Sequence, residues 1–407
     1  MRRRRRGAAA FAVVLAIGFL ALSVCPGSSA VVVYATENLP ERTGEERSGE
    51  TQLEAVQRRT EEALLEESDL REIDAVLKDI FPEKKVTFRQ VLDAFLDGKE
   101  TISPELLADY ITDTAFYVVK ANRGTLLYLL MIMIVAAVFS NFADVFRSRQ
   151  IAQTGFYLVY VLLITSSLHT FQVTAEVVSD GIEKLILFME VLSPAYFICM
   201  AAAVGSVTSI AFYNLVLVLI LLVELVLLHF VLPLIHVCLM MQILNFLSEE
   251  EYLSKFAELL RTIIGWSMKT LLAVVTGAGI VQRILSPSVD AVKRSVFTRG
   301  AEMIPGAGDV FGGVTEVVLG TAVLIKNGIG MAGAVIVAGI CLAPVLNMGV
   351  LTLMYKGLAA IVQPVSDKRI VEAVSSVGDG YQMLLKVVCT AGVLFLITIG
   401  VAAAAAA

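Results

Sequence analysis

The chain has 407 residues, 57% of them hydrophobic and only 17% charged, with a formal net charge of −6. Soluble domains carry about 25% charged and about 45–50% apolar residues, so this composition excludes an ordinary soluble protein. The acidic excess has no compensating basic patch, which argues against nucleic acid as a partner.

The first 30 residues have the three parts of a secretory signal. Arg2 to Arg6 form a basic head, Ala8 to Val24 an apolar stretch, and Ser28-Ser29-Ala30 a small-x-small site with cleavage expected after Ala30. Leu22-Ser23-Val24-Cys25 departs from a lipoprotein box, because Val24 is large where a small residue is wanted. Cleaved or not, the arginines stay inside, so residues 31–122 are expected to lie outside the cytoplasm. That segment is acidic, with 21 acids against 11 bases over residues 31–120. Residues 37–52 have almost no apolar content and read as a solvated linker. From Leu53 to Phe81 apolar residues recur at steps of three and four, the period of an amphipathic helix, with Pro82 to end it. Thr87-x-x-Gln90 is a capping box opening a short helix that stops at Gly98, and Ser103-Pro104-Glu105 opens another. The expected role of this helical segment is docking onto a partner outside the membrane.

Residues 123–402 read as a multi-pass helical membrane domain, followed by a low-complexity tail over 403–407. A crossing needs about 20 apolar residues. Gly124–Ser140, Gly155–Phe171, Leu192–Tyr213, Ile263–Leu285 and Tyr381–Ala402 qualify, and Leu192–Tyr213 is rich in Ala, Gly and Ser. Asn214–Leu247 is divided by Pro233, and Gly328–Leu346 is separated from Gly349–Val362 near Pro344. The expectation is about seven crossings in an all-α polytopic protein. Arg147 and Arg149 place the loop after the first crossing inside, and Arg283, Lys293, Arg294 and Arg299 argue the same for theirs. The parity between the two loops does not close, so either the Pro233 region is bent or re-entrant, or one Ala/Gly-rich run does not cross.

Several polar groups fall within apolar runs. Glu224 sits in LVLVLILLVELVLLHF. An acid at the centre of a crossing costs roughly 2.5–3.5 kcal/mol, so it is expected to face protein or water. His229 and His236, seven apart, share a helix face unless Pro233 swings it, and Lys269 lies in similar surroundings. They fit either polar contacts between helices or a proton relay. The stretch around Gly306, Gly308, Asp309, Glu316, Lys326 and Asn327 is Gly-rich and too polar for lipid. It fits either a cavity-lining, re-entrant element or helix-packing contacts. Pro364, Asp367 and Arg369 mark a turn between helices, where the two charged residues form a motif or a solvated pair.

No HExxH, GxSxG or GxxxxGK[ST] pattern is present, and three scattered histidines do not build a zinc site. The five cysteines, Cys25, Cys199, Cys238, Cys341 and Cys389, contain no CxxC pair. No catalytic residue, cofactor or metal is expected.

Phe297-Thr298-Arg299-Gly300, Ile304-Pro305-Gly306-x-Gly308-x-x-Phe311, Glu316 and Leu324-Ile325-Lys326-Asn327-x-x-Gly330 together resemble the stage III sporulation protein AE family. Tyr355-Lys356 and Gln363-Pro364-x-x-Asp367-x-Arg369-Ile370-Val371 add to the resemblance, as does the upstream TFRQVLDAFLDGK. The resemblance implies a polytopic component of a channel complex joining mother cell and forespore, placed in the mother-cell (outer forespore) membrane. It further implies an export-gate or scaffold role without catalysis. The implied partners are the other stage III A-operon membrane proteins, their cytosolic ATPase and a forespore channel protein. The competing function is a stand-alone ion or solute transporter using Glu224 and the Asp309–Glu316 stretch.

Overall fold

The computed structural model describes residues 59–60, 63, 70–81, 87–96, 104–141, 149–203, 206–246, 253–301 and 308–404. The signal sequence, the acidic linker, most of residues 53–69, Gly306 and residues 405–407 lie outside the described residues. Two short amphipathic helices come first. α1 (Leu70–Ile80) buries Leu70, Ile73 and Leu77, the three-and-four stripe read from the sequence. α2 (Phe88–Leu96) buries Phe88, Val91 and Leu92. The capping box is formed as expected: Gln90 N–H donates to Thr87 Oγ1 at 3.3 Å, and Thr87 N–H to Gln90 Oε1 at 3.4 Å. Asp74 of α1 accepts the backbone N–H of Phe88, tying the two helices together.

Long helices follow: α3 (Pro104–Asn141), α4 (Arg149–Ala203), α5 (Ser206–Leu222), a π-helical segment (Val223–Val231), α6 (Leu232–Asn245), α7 (Ser254–Ala301), α8 (Gly308–Val362) and α9 (Lys368–Ala404). No strand occurs among the described residues. Pro104 opens α3, as the sequence predicts, but the helix continues without a break into the first apolar run. One helix therefore runs across residues 122–123, where the sequence suggested a boundary.

Among the described residues six helical runs are long and apolar enough to cross a membrane: Ala108–Phe139, Thr154–Ala203, Ser209–Asn245, Ser254–Val281, Val318–Val362 and Lys368–Ala403. The expected seven is corrected at three places. Leu192–Tyr213 is not a crossing of its own; its first part completes α4 and its second opens α5. Gly328–Leu346 and Gly349–Val362 are one helix, α8, with Pro344 inside it. The described part of Asn214–Leu247 is one helical run, to Asn245, despite Pro233. Proline forfeits one backbone bond and crowds the carbonyl four residues back, yet the helix continues through both sites. Pro233 follows the π segment directly, in the first turn of α6, where the wider winding relieves the clash. Pro344 packs against Gly181 of α4, where a Cβ would lie 3.6 Å from its Cγ.

Side-chain contacts define two ends of the bundle. At one end Tyr160 Oη donates to the Ile243 carbonyl at 2.9 Å, and the Arg369 guanidinium lies 5.9 Å from the centre of the Phe156 ring. At the other end Met200, Phe212 and Ala402 cluster together. Consecutive long helices thus run antiparallel, and α7 points away from the end where α4 begins. The basic stretch of residues 283–299 then falls opposite Arg147 and Arg149, not beside them as their charges suggested. α4 and α8 have 55 residues each. At 1.5 Å per residue they are about 80 Å long, against about 30 Å of hydrocarbon. Both must project well beyond the bilayer, which explains how α4 carries the exposed acids Glu176, Asp180, Glu183 and Glu190 between two apolar runs.

One core joins all these elements, with Tyr160, Phe171, Phe188, Tyr355, Tyr381 and Phe395 among its largest buried side chains. α8 and α9 approach closely where Gly392 faces Cys341; a Cβ there would sit 2.6 Å from the Cys341 Sγ. Gly400, further along the same helix, has open space around it. Gly392→Leu should therefore destabilise the purified protein by about 1–3 kcal/mol through overpacking, while Gly400→Leu should not. Thermal unfolding in detergent reads the difference.

Candidate functional site

The polar residues read from the sequence do not converge on one place. Glu224 and His229 are both exposed on the π segment, where the His229 Nδ1 lies 3.0 Å from the Glu224 carbonyl oxygen. His236 is half-buried in α6; its ring meets Phe171 edge-on at 5.3 Å, and its Nδ1 lies 3.0 Å from the Leu232 carbonyl oxygen. Despite their seven-residue spacing the two histidines have different surroundings, His229 exposed and His236 half-buried against Phe171. Lys269 is exposed on α7. Gly308, Asp309 and Glu316 lie on the first turns of α8, their side chains outside the described residues. Asn327 is exposed, whereas Lys326 is fully buried.

Lys326 has a specific partner. Its Nζ donates to the carbonyl oxygen of Ala403 at 2.9 Å, in the last turn of α9. The last carbonyls of a helix lack intrahelical donors and carry partial negative charge, so a buried ammonium is matched to them. The turn motif is also accounted for. Pro364 lies in the turn, and Asp367 caps α9, its Oδ1 accepting the backbone N–H of Arg369 at 2.9 Å.

The structure assembles a further polar group that sequence reasoning missed. Asp379 of α9 stands between two cations: its Oδ1 is 2.9 Å from Lys356 Nζ of α8, and its Oδ2 is 3.0 Å from Arg261 Nη2 of α7. Lys356 also donates to Gln382 Oε1 at 3.0 Å, and Arg261 to Gln242 Oε1 of α6 at 3.4 Å. Four helices are thereby joined through one carboxylate, at the end of the bundle that holds the 363–367 turn. The side chains of Arg261, Lys356 and Asp379 are 49%, 41% and 31% exposed, so the ion pairs are partly wet and each contributes about 1 kcal/mol or less. Asp379 is flanked by Gly378 and Gly380. A Cβ at 378 would come within 2.9 Å of Lys356 Cγ, and one at 380 within 2.8 Å of Phe171. The glycines let α8 and α4 press against α9 beside the carboxylate. The Gly-Asp-Gly triplet was the one local signal that could have pointed here.

Beside the ion pairs lies an aromatic layer. The Tyr381 ring is 5.0 Å from Tyr355 and 5.4 Å from Phe171, which in turn meets His236. The tyrosine hydroxyls are buried and find no well-formed hydrogen bond among the described residues. Thr170 and Thr174 are engaged by their own helix, bonding the carbonyls of Ser166 and Thr170. No group of three or more His, Cys, Asp or Glu suited to a metal ion occurs among the described residues. The arrangement holds helices in register; it does not pair a nucleophile with a base.

The profile of the family described as stage III sporulation protein AE matches residues 86–406, from just before α2 to the end of α9. The chain belongs to the stage III sporulation protein AE family. A Bacillus subtilis (strain 168) protein described as stage III sporulation protein AE is 23% identical over 309 residues, covering 75% of this chain and 77% of that protein. No solved structure matches. Membership implies a role in sporulation for this multi-pass membrane protein. The matched region contains the six helical runs long and apolar enough to cross a membrane, the Asp379 ion pairs and the Lys326 contact, while α1 lies outside it.

Two outcomes test the site. In a double-mutant cycle, Arg261→Ala and Asp379→Ala should be non-additive by about 1 kcal/mol in unfolding free energy, as expected for a partly exposed pair. At the opposite end, Lys326→Met should change stability by no more than about 1 kcal/mol, because it removes a buried charge together with its hydrogen bond. Lys326→Glu should cost several kcal/mol by placing an anion against helix carbonyls. Unfolding in detergent measures both.

Proposed function

We propose that this protein is a non-enzymatic component of a channel complex that joins mother cell and forespore, acting as an export gate or scaffold in the mother-cell (outer forespore) membrane. The observation that carries this reading is the family match running unbroken across the six-crossing bundle. The bundle's interior supports it: the long helices are tied by apolar contacts and by ion pairs whose groups hold one another, and no reactive pair is assembled among the described residues. The partners are other stage III sporulation proteins of the same operon, a cytosolic ATPase that would power any movement, and a forespore channel protein.

Orientation follows from charge and parity. Arg147, in the link between α3 and α4, and Arg149, the first residue of α4, favour the cytoplasm for that end of the bundle, as does a leader that keeps Arg2 to Arg6 inside; the basic stretch of residues 283–299 then falls on the outer side, against the same charge rule. Six crossings are an even number, so the start of α3 and the end of α9 share the outer side. α1 and α2 then lie outside, packed against the outer parts of α4 and α8, where Leu92 and Leu96 face Gly328. The chain before α1 is then on the outer side, where partners between the two membranes would meet it. The Asp379 ion pairs sit toward the cytoplasmic side, within reach of a protein driven by the ATPase.

Sporulating cells that carry the full chain with single cysteines in a cysteine-free background test the orientation. A membrane-impermeant thiol reagent should label Thr60→Cys in intact cells and Val365→Cys only after permeabilisation; the reverse pattern would overturn the topology. The role is tested by counting heat-resistant spores. Deletion should abolish them, and Asp379→Leu should lower them sharply while the protein still accumulates. Solute flux through vesicles containing this protein alone would instead favour a stand-alone transporter.

A further inference from the structure

The π segment and α7 form a face with an apolar groove of about 610 Å³ between them. On one side the groove is lined by Leu222, Val226 and Phe230, on the other by residues that include Ile263 and Trp266. Trp266 is 73% exposed. Each wall carries one charge that lies outside the groove and forms no ion pair with a described residue. On the π segment Val223 and Leu227 point into the core, and Val226 toward α7. Glu224, one residue beyond Val223, therefore lies on the far flank, and it is exposed. On α7 the buried Met268 accepts a contact from Thr390 of α9. Lys269, one residue beyond Met268 and outside the groove, lies on the flank toward α9, and it is exposed. Neither residue forms an ion pair with any described residue.

We infer that this face binds a second copy of the same chain, with Glu224 of each copy meeting Lys269 of the other. Depth and symmetry carry the inference. Val226 and Trp266 lie at the middle of the two groove walls, and the walls run antiparallel. Glu224 precedes Val226 by two residues and Lys269 follows Trp266 by three, so both are displaced in the same direction along the bundle, by about 3 and about 4.5 Å. The two charges therefore sit at nearly equal depth on opposite edges of one face. Two copies inserted the same way in a membrane can be related by a two-fold axis only if that axis lies along the membrane normal. Such an axis preserves depth and exchanges the edges, so it brings the acid of each copy to the lysine of the other. An isologous contact requires this self-complementarity. It also relieves two isolated charges that are costly to hold within apolar surroundings, and it brings the Trp266 wall of each copy onto the Phe230 wall of the other. The inference goes beyond the channel reading and does not depend on it.

The test uses the full chain, free of its native cysteines, in native membranes. Glu224→Cys combined with Lys269→Cys should give a covalent dimer under mild oxidation, and either substitution alone should leave monomer. In lipid nanodiscs, Glu224→Lys or Lys269→Glu alone should shift the protein to monomer, and the two together should restore the dimer. Failure of the reversed pair to restore the dimer, or monomer from the double-cysteine protein, would overturn the inference. A ladder of trimers and larger species would also overturn it, because it would show an open head-to-tail contact in place of the closed two-fold pair.

Discussion

Hydrocarbon offers no hydrogen-bond partner to the backbone, and the architecture of this protein follows from that constraint. Every N–H and C=O within the bilayer must be satisfied by the segment itself, which leaves helices as the structure for apolar runs of this kind. Prolines that would break a soluble helix are retained inside α4 and α8 at Pro194 and Pro344. Pro233 is absorbed by a widened turn. The same constraint makes each polar side chain at depth a specific decision. Lys326 is matched to the end of α9, Thr170 and Thr174 to carbonyls of their own helix, and Asp379 to two cations.

Because apolar surface is not driven together by water inside a bilayer, shape and polar contacts decide how the helices associate. α8 and α9 meet along small residues, as at Gly392 against Cys341 and Gly378 against Lys356. The Asp379 contacts then fix the register of α7, α8 and α9 at one end, and Lys326 fixes α8 against α9 at the other. The unpaired charges Glu224 and Lys269 lie instead on the outer face of the π segment and α7, where assembly would use them.

Much of the secondary structure was legible because its signals are local. The α1 stripe, the Thr87–Gln90 capping box and the Pro104 helix start each depend on residues within a turn or two of one another. The crossing count was harder to read, since a proline signals a break only when nothing compensates. At Pro344 the helix continues, its ring packed against Gly181 of α4, more than 160 positions earlier in the chain. The ion-pair group was missed for a related reason. Arg261, Lys356 and Asp379 lie on three helices, and each alone resembles a solvated charge near the end of an apolar run.

The sequence by itself determined that this is an all-α, multi-pass membrane protein, that a short amphipathic helical segment precedes the crossings, and that the family is one of sporulation proteins. These conclusions rest on composition, hydrophobic run length and motif, which do not depend on how distant segments meet. Only the tertiary structure decided which prolines are tolerated, which lysine is buried against a helix end, and which carboxylate gathers two cations. Those outcomes depend on what packs alongside each residue, and in a bundle of antiparallel helices the neighbour is set by topology rather than by position in the chain.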